Sequence, residues 1–178
     1  MRVTIRAAKP SDIKEYTSLL QRTYESAYTN DSLGLTKECF SQEVFNTADT
    51  QKYLLSNLVN NSSRKAWLAF IESQMVGSVT IKKKDSNYEI TGFYVTFEYQ
   101  GRGIGKQLWN KAFEFSSKGD ILVDLYVHNK KSVAMYKKWG FVIDKTRGEN
   151  GYFYRHWQEW PDNLKAKCMY MRLIRSKD

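Results

Sequence analysis

Gln100-Gly101-Arg102-Gly103-Ile104-Gly105-Lys106 sets three glycines at alternate positions beside two cations. Alternating glycines let a backbone turn tightly and approach a ligand without interference from Cβ atoms. The run lies between a strand-like stretch, 88–96, and a helix-like stretch, 104–117. A helix that starts there points its unpaired N–H groups and the positive end of its dipole back at the loop. Such a terminus binds phosphate, and Arg102 and Lys106 add full positive charges. The loop therefore reads as a pyrophosphate cradle, with a ligand-free glycine turn as the structural alternative.

Two better-known phosphate loops do not fit. A dinucleotide fingerprint needs G-x-G-x-x-G, but Gly105 comes one residue early and Lys106 stands where the last glycine belongs. Asp124 lies near the spacing of a ribose-binding acid and is read as coincidental. A Walker loop needs G-x-x-x-x-G-K-[ST], but Gln107 follows Lys106 and Gln100 holds the first glycine position.

The strand-and-loop run Glu89 to Gly105 resembles motif A of the GNAT superfamily of N-acetyltransferases, a strand followed by [Q/R]-x-x-G-x-[G/A], met here by Gln100, Gly103 and Gly105. Downstream, Asn129, Ser132, Tyr136, Gly140 and Phe141 match the family's motif B, N-x-x-[A/S]-x-x-x-Y-x-x-x-G-F. Ile5-Arg6-Ala7-Ala8 through Asp12 is similar to the family's first strand and helix entry. The resemblance spans most of the chain and implies acetyl-CoA as cosubstrate and no metal. Backbone groups of Phe93, Tyr94 and Val95 would pair with the pantetheine arm like an added strand. Those of Gln100, Gly101, Arg102, Gly103, Ile104, Gly105 and Lys106 would hold the pyrophosphate. Asn129 and Ser132 would meet the cofactor, with a plain helix cap as the other reading of Asn129.

Acetyl transfer to an amine asks for three things. The amine must lose a proton, the oxyanion needs donors, and the leaving thiolate takes a proton. Tyr136 matches the motif B tyrosine and is the candidate acid, with a core tyrosine as the alternative. Glu89, on the strand before Gly92, is the candidate base, working best with a pKa raised by partial burial. A surface strand glutamate is its alternative, and Asp124, Tyr88 and His156 are substitutes. His128 is read as a helix-entry residue. Gly92, inside a strand, marks a bulge or a close backbone approach, and a bulge there would splay the sheet.

The elements that position these residues follow from hydrophobic period and turn chemistry. A first strand covers 3–7. Pro10-Ser11-Asp12 opens a helix to about 28, with Ser11 as N-cap. Thr36 caps a short helix to about 46, and another spans 50–60. Strands at 66–72, 75–83 and 88–96 form a meander. The helix from 104, a strand at 121–127, the helix from 129, and strands from 141 and at 167–174 complete the order. Mixed elements of this kind predict one α/β domain over 1–178, with a largely antiparallel sheet flanked by helices and splayed at the acetyl-CoA site. Residues 151–162 concentrate five aromatics and a histidine. They read as a strand or hairpin tip of packed rings, or as a wall of the acceptor pocket.

The chain's 178 residues suffice for a core, and aromatics at 15% argue against disorder. No apolar run approaches the ~18 residues of a membrane span, and the first residues lack an apolar signal region, so a cytoplasmic protein is expected. Two distant cysteines, Cys39 and Cys168, read as reduced thiols, and no ligand spacing points to a metal. The net charge is +9, and residues 66–178, with 19 basic and 12 acidic side chains, carry most of the excess. That field suits anionic coenzyme A, although a lysine-rich solvated surface gives the same number. No long basic run supports a nucleic-acid partner.

The acceptor is set by 20–60 and the aromatic segment, which no motif covers. The run 23–60 loosely resembles bacterial spermine/spermidine acetyltransferase-like members. A polyamine would want acidic pocket residues, and Glu25, Asp31, Glu38 and Glu43 are available. Acetylation of a protein N-terminus or lysine, acetylation of aminoacyl-tRNA, and a coenzyme A-binding regulatory module are the alternatives. A homodimer rests on family analogy alone.

Overall fold

The computed structural model describes residues 2–175. Its eight strands are β1 Val3–Ala7, β2 Arg64–Ile71, β3 Gln74–Lys84, β4 Asn87–Val95, β5 Ile121–Tyr126, β6 Val142–Ile143, β7 Tyr152–Arg155 and β8 Ala166–Leu173. They form one sheet in the order β1-β2-β3-β4-β5-β8-β6, with β7 also paired to β8. Every pairing is antiparallel except that of β4 with β5.

Five α-helices cover the sheet. They are α1 Ile13–Tyr28, α2 Gln42–Phe45, α3 Ala48–Asn57, α4 Ile104–Phe115 and α5 Lys130–Lys138. Each face has its own core. On one face Tyr16, Leu19 and Leu20 of α1 pack with Leu54 of α3, Leu68 of β2, and Tyr126 and Cys168. On the other, Ile104, Leu108 and Ala112 of α4 and Val133 and Tyr136 of α5 pack on Val79, Ile81, Ile121 and Met171. The helical spacing of three and four residues aims each stripe at the sheet.

The sheet's one parallel contact is short. Only Tyr88↔Ile121 and Glu89↔Leu122 pair β4 with β5. Beyond them β4 runs on to Val95 and β5 to Tyr126 with no pairing between them, so the sheet forks. The expected irregularity at Gly92 is a β-bulge. Thr80 faces Gly92 while Ile81 faces Ile90, which leaves Thr91 as the extra residue of β4. An extra residue inverts the inside–outside alternation. Tyr88 and Ile90 reach the α4/α5 core before the bulge, and Phe93 and Val95 reach it after. Tyr94 consequently turns to the α1/α3 face. Thr80 and Thr91 share a 2.8 Å hydroxyl hydrogen bond across the bulge. A Cβ on Gly92 would lie 2.8 Å from the Tyr94 ring and 2.9 Å from Thr80 Oγ1, so glycine is what the site admits.

Three boundaries differ from expectation. Asp12, not Ser11, organises the entry to α1. It accepts from the Lys9 N–H at 2.7 Å and pairs with Arg6, because a carboxylate satisfies both a donor and a cation. The helix expected over 36–46 breaks at Ser41, whose extended backbone and side chain cap α2 after a 3-10 turn at Lys37–Phe40. Thr47 caps α3, moving its start ahead of residue 50.

Candidate functional site

The glycine loop sits at the α4 N-terminus on the α4/α5 face. Gly101 and Gly103 hold φ of 77° and 79°, and a Cβ on either would meet no atom within 4 Å. Conformation, not crowding, therefore requires glycine at both. Gly103 is the residue before α4, and the helix has no side-chain cap and no acid in its first turn. Its N–H groups and the charges of Arg102 and Lys106 make a terminus suited to phosphate. Gln100 braces the loop. Its Nε2 donates to the Val95 carbonyl at 2.9 Å, and Lys131 Nζ donates to its Oε1 at 2.5 Å. A Cβ on Gly105 would meet the Phe93 ring at an ordinary 3.5 Å.

The fork leaves the β4 backbone from Ile90 to Val95 without a strand partner on its β5 side. That edge lies beside a cavity of about 520 Å³ lined from both faces of the sheet. From the α4/α5 side come Phe93, Val123, Ser132, Met135 and Tyr136; from the other come Tyr24, Tyr94, Asp124, Tyr126, Arg155 and Trp157. The volume is within the range of small-ligand sites.

Tyr136 is almost wholly buried, its ring edge-on to Phe141 and Phe93. Burial raises its phenol pKa, and the Asp124 charge adds to the rise, so the hydroxyl keeps its proton at any working pH. Asn129 caps α5 by accepting from the Ser132 N–H at 3.2 Å.

Glu89 lines the same cavity at the closed end of the fork. Lys84, Lys82 and Arg147 surround it at 3.1, 3.2 and 3.3 Å. Burial pushes the carboxyl up, but the hydrogen bonds and charges of Lys84 and Lys82 outweigh it and leave the pKa below the ordinary carboxylate value. A base at this position would work best with a raised pKa; Lys84 and Lys82 instead stabilise the anion more than burial disfavours it.

The substitutes separate clearly. Tyr88 bonds Ser117 and His156 bonds the Leu164 carbonyl, and neither lines the cavity. His128 takes the Tyr28 carbonyl at 3.0 Å, and burial lowers its pKa. Asp124 does line the cavity, and Arg155 Nη2 donates to its Oδ1 at 2.5 Å. Burial alone would lower the Arg155 pKa; the Asp124 charge, the neighbouring Tyr126 and Cys168 and the hydrogen bond to Asp124 together reverse it.

The aromatic segment divides between its two readings. Residues 152–155 form β7. Trp160 is buried, donating to the Cys39 carbonyl at 3.1 Å and stacking on Trp157. Arg155, Trp157, Gln158 and Glu159 line the cavity. Asp49 and Glu159 stand exposed at its rim, and Thr47 Oγ1 donates to Glu159 at 3.0 Å. Of the acids named for a polyamine, Glu25, Asp31, Glu38 and Glu43, the first pairs with Lys37 and none lines the cavity. Arg155, Asp49 and Glu159 were not singled out in the sequence, since two distant segments, the start of α3 and residues 155–159, bring them together. The Tyr24–Tyr94 hydroxyl pair at 2.8 Å is equally non-local.

An open mixed sheet with a forked parallel pair and a glycine-loop helix entry defines a class, and the comparisons agree. The model of the acetyltransferase (GNAT) family matches residues 19–141, and the chain belongs to that family of acetyl-CoA-dependent N-acetyltransferases. A spermidine N(1)-acetyltransferase of Thermoplasma acidophilum is 26% identical over 156 residues, 84% of this chain and 94% of that protein. The PaiA N-acetyltransferase of the same organism, solved in complex with coenzyme A, matches with TM-score 0.67 at 19% identity over 99% of this chain and 100% of that one. A GNAT-family acetyltransferase from Streptococcus pneumoniae matches with TM-score 0.66 at 18% identity over 98% and 100%. Among the described residues no helix is long and apolar enough to cross a membrane.

Proposed function

We propose that the protein passes the acetyl group of acetyl-CoA directly to a small primary amine within one ternary complex, and that the acceptor is a polyamine. The observation that carries this reading is a cavity lined from both faces of the sheet, with a glycine-loop helix entry suited to phosphate on the α4/α5 face and two exposed acids, Asp49 and Glu159, at its rim on the other. The free edge of β4 at Phe93, Tyr94 and Val95 suits the pantetheine arm as an added strand. N–H groups of Gln100 through Lys106 suit the pyrophosphate, and Asn129 and Ser132 stand beside its path. Tyr136, protonated by virtue of burial, gives its proton to the leaving thiolate. Glu89 enters as a fixed anion that closes the fork rather than as a tuned base.

A polyamine carries a second ammonium group several ångströms from the reacting one. Asp49 and Glu159 at the rim suit that distal charge, and the spermidine N(1)-acetyltransferase relative supports the same class. We place the activity in the cytoplasm, where acetyl-CoA is made available and where the two free thiols Cys39 and Cys168 stay reduced.

The test is thiol release from acetyl-CoA across polyamines, monoamines, aminoglycosides and N-terminal peptides. Release is expected with spermidine and spermine. Release confined to peptides or aminoglycosides would overturn the acceptor class.

A further inference from the structure

The α1/α3 side of the cavity has two unlike ends, and α3 runs between them. Asp49 and Asn57 stand near opposite ends of that helix, about 12 Å apart along its axis. The Asp49 end is the acidic rim, where Thr47 Oγ1 also donates to Glu159. The Asn57 end is cationic. Arg64 of β2 donates to the Ser56 carbonyl at 2.6 Å and stands opposite Lys82 of β3, which brings the end of α3 to Lys82. Ile81 turns to the α4/α5 core, so strand alternation puts Lys82 on the α1/α3 face. Asn57 and Lys82 both line the cavity, and Lys82 stands opposite Glu89, at the closed end of the fork.

Charge and hydrogen bonding are unbalanced at this end. Lys82 pairs with Glu89 Oε2 at 3.2 Å, while Lys84 and Arg147 take Oε1 at 3.1 and 3.3 Å. Three cations thus face one anion, and both of its oxygens are engaged. Lys82 carries three N–H donors and has Glu89 as its one ion-pair partner among the described residues. Asn57 is only 3% exposed, yet no described residue hydrogen-bonds its carboxamide. A buried amide without a partner is destabilising, and the cavity is where a partner can enter.

We propose that Asn57 and Lys82 form a carboxylate subsite, and that the cavity takes diamino acids as a second class of acceptor. The inference rests on the amine-acceptor reading above and extends it to amines that carry an anion. A carboxylate there accepts from Asn57 Nδ2 and Lys82 Nζ and leaves the cluster with three cations to two anions. The amine beside the carboxylate then lies at the opening of the fork, and the far ammonium group points along α3 to the acidic rim. The nitrogen at the fork gives up two protons as it takes the acetyl group; one makes the thiol of coenzyme A and the other goes to solvent. A polyamine, with no anionic group, is turned by the same cations toward the rim. Asp49, Glu89, Asp124 and Glu159 line the cavity, so without the subsite a carboxylate would make an acceptor worse.

The experiment compares acceptors that differ only by a carboxylate, ornithine with putrescine and lysine with cadaverine. It measures kcat/KM for each in the full chain and in Lys82→Met and Asn57→Leu, with melting temperatures as the check on folding. In the full chain each diamino acid should match or exceed its diamine and be acetylated on the amine beside the carboxylate. In each variant the ratio of kcat/KM for diamino acid over diamine should fall about tenfold, the size of one hydrogen bond to a charged group. A diamino acid poorer than its diamine in the full chain, acetylation confined to the far amine, or an unchanged ratio in the variants that fold would overturn the proposal and leave the amine-acceptor reading intact. Acetate added with putrescine separates a free anion from one carried by the acceptor: faster turnover of putrescine with ornithine unreactive would also overturn it. No turnover of any amine by the unaltered chain would overturn that reading and this proposal together. Should Lys82→Met fail to fold, Asn57→Leu decides.

Discussion

Tyr136 and Glu89 show how burial and charge assign opposite duties to two side chains of one cavity. The phenol is buried, which raises its pKa, so it holds its proton. Tyr136→Phe removes the proton and little of the packing. It should lower kcat about a hundredfold with acetyl-CoA affinity nearly unchanged, which steady-state kinetics with calorimetry checks. Glu89 is a stability element. Its folded-state pKa lies below the ordinary value, so its contribution is present above that value and is lost as pH falls through the depressed one. Glu89→Gln should lower the melting temperature at pH 7, and the difference from the parent should close in acid, a trend followed by thermal denaturation at stepped pH. Motif residues such as Gln100, Asn129 and Tyr136 were legible in the sequence because their spacing is local. The charged environment of Glu89 was not, since Arg147 comes from 58 residues away.

At the scale of elements, the β4 bulge decides which side chains face which core. Without Thr91 as the extra residue, Phe93 and Val95 would turn away from α4, and Tyr94 would leave Tyr24. Gly92→Ala sets a methyl against the Tyr94 ring and Thr80. A loss of about 1–3 kcal/mol is expected, measured by denaturant unfolding, together with weakened acceptor binding. Gly103→Ala meets no neighbour, but it forces a left-handed backbone on alanine at the helix entry. A cost of about 1 kcal/mol is expected, and calorimetric coenzyme A affinity should fall about tenfold as the N–H groups lose their aim. Strand and helix order was legible from period and turn residues, and Gly92 pointed to the bulge. The extra residue itself, Thr91, and the break at Ser41 were not, because pairing register and capping geometry set them rather than composition.

For the whole molecule, a net charge of +9 favours anionic coenzyme A and would repel the polycationic acceptor proposed above. The acidic rim counters that repulsion locally. Asp49→Asn with Glu159→Gln should raise KM for spermidine about tenfold while changing KM for a monoamine little, and the gap should narrow at high salt. Saturation curves with both acceptors at two ionic strengths test this. The rim itself was out of reach of the sequence, because Asp49 on α3 and Glu159 after β7 are brought to one cavity by tertiary packing of Trp157 and Trp160 and by the Thr47–Glu159 hydrogen bond. The fork has a further consequence for kinetic order. If each substrate enters from its own face of the sheet, as proposed, neither lies across the other's route, and binding in either order is expected. Double-reciprocal plots should converge, and an unreactive analogue of one substrate should compete with that substrate alone. Parallel plots would demand a side chain that carries the acetyl group between substrates, yet Cys39 and Cys168 are buried and neither lines the cavity.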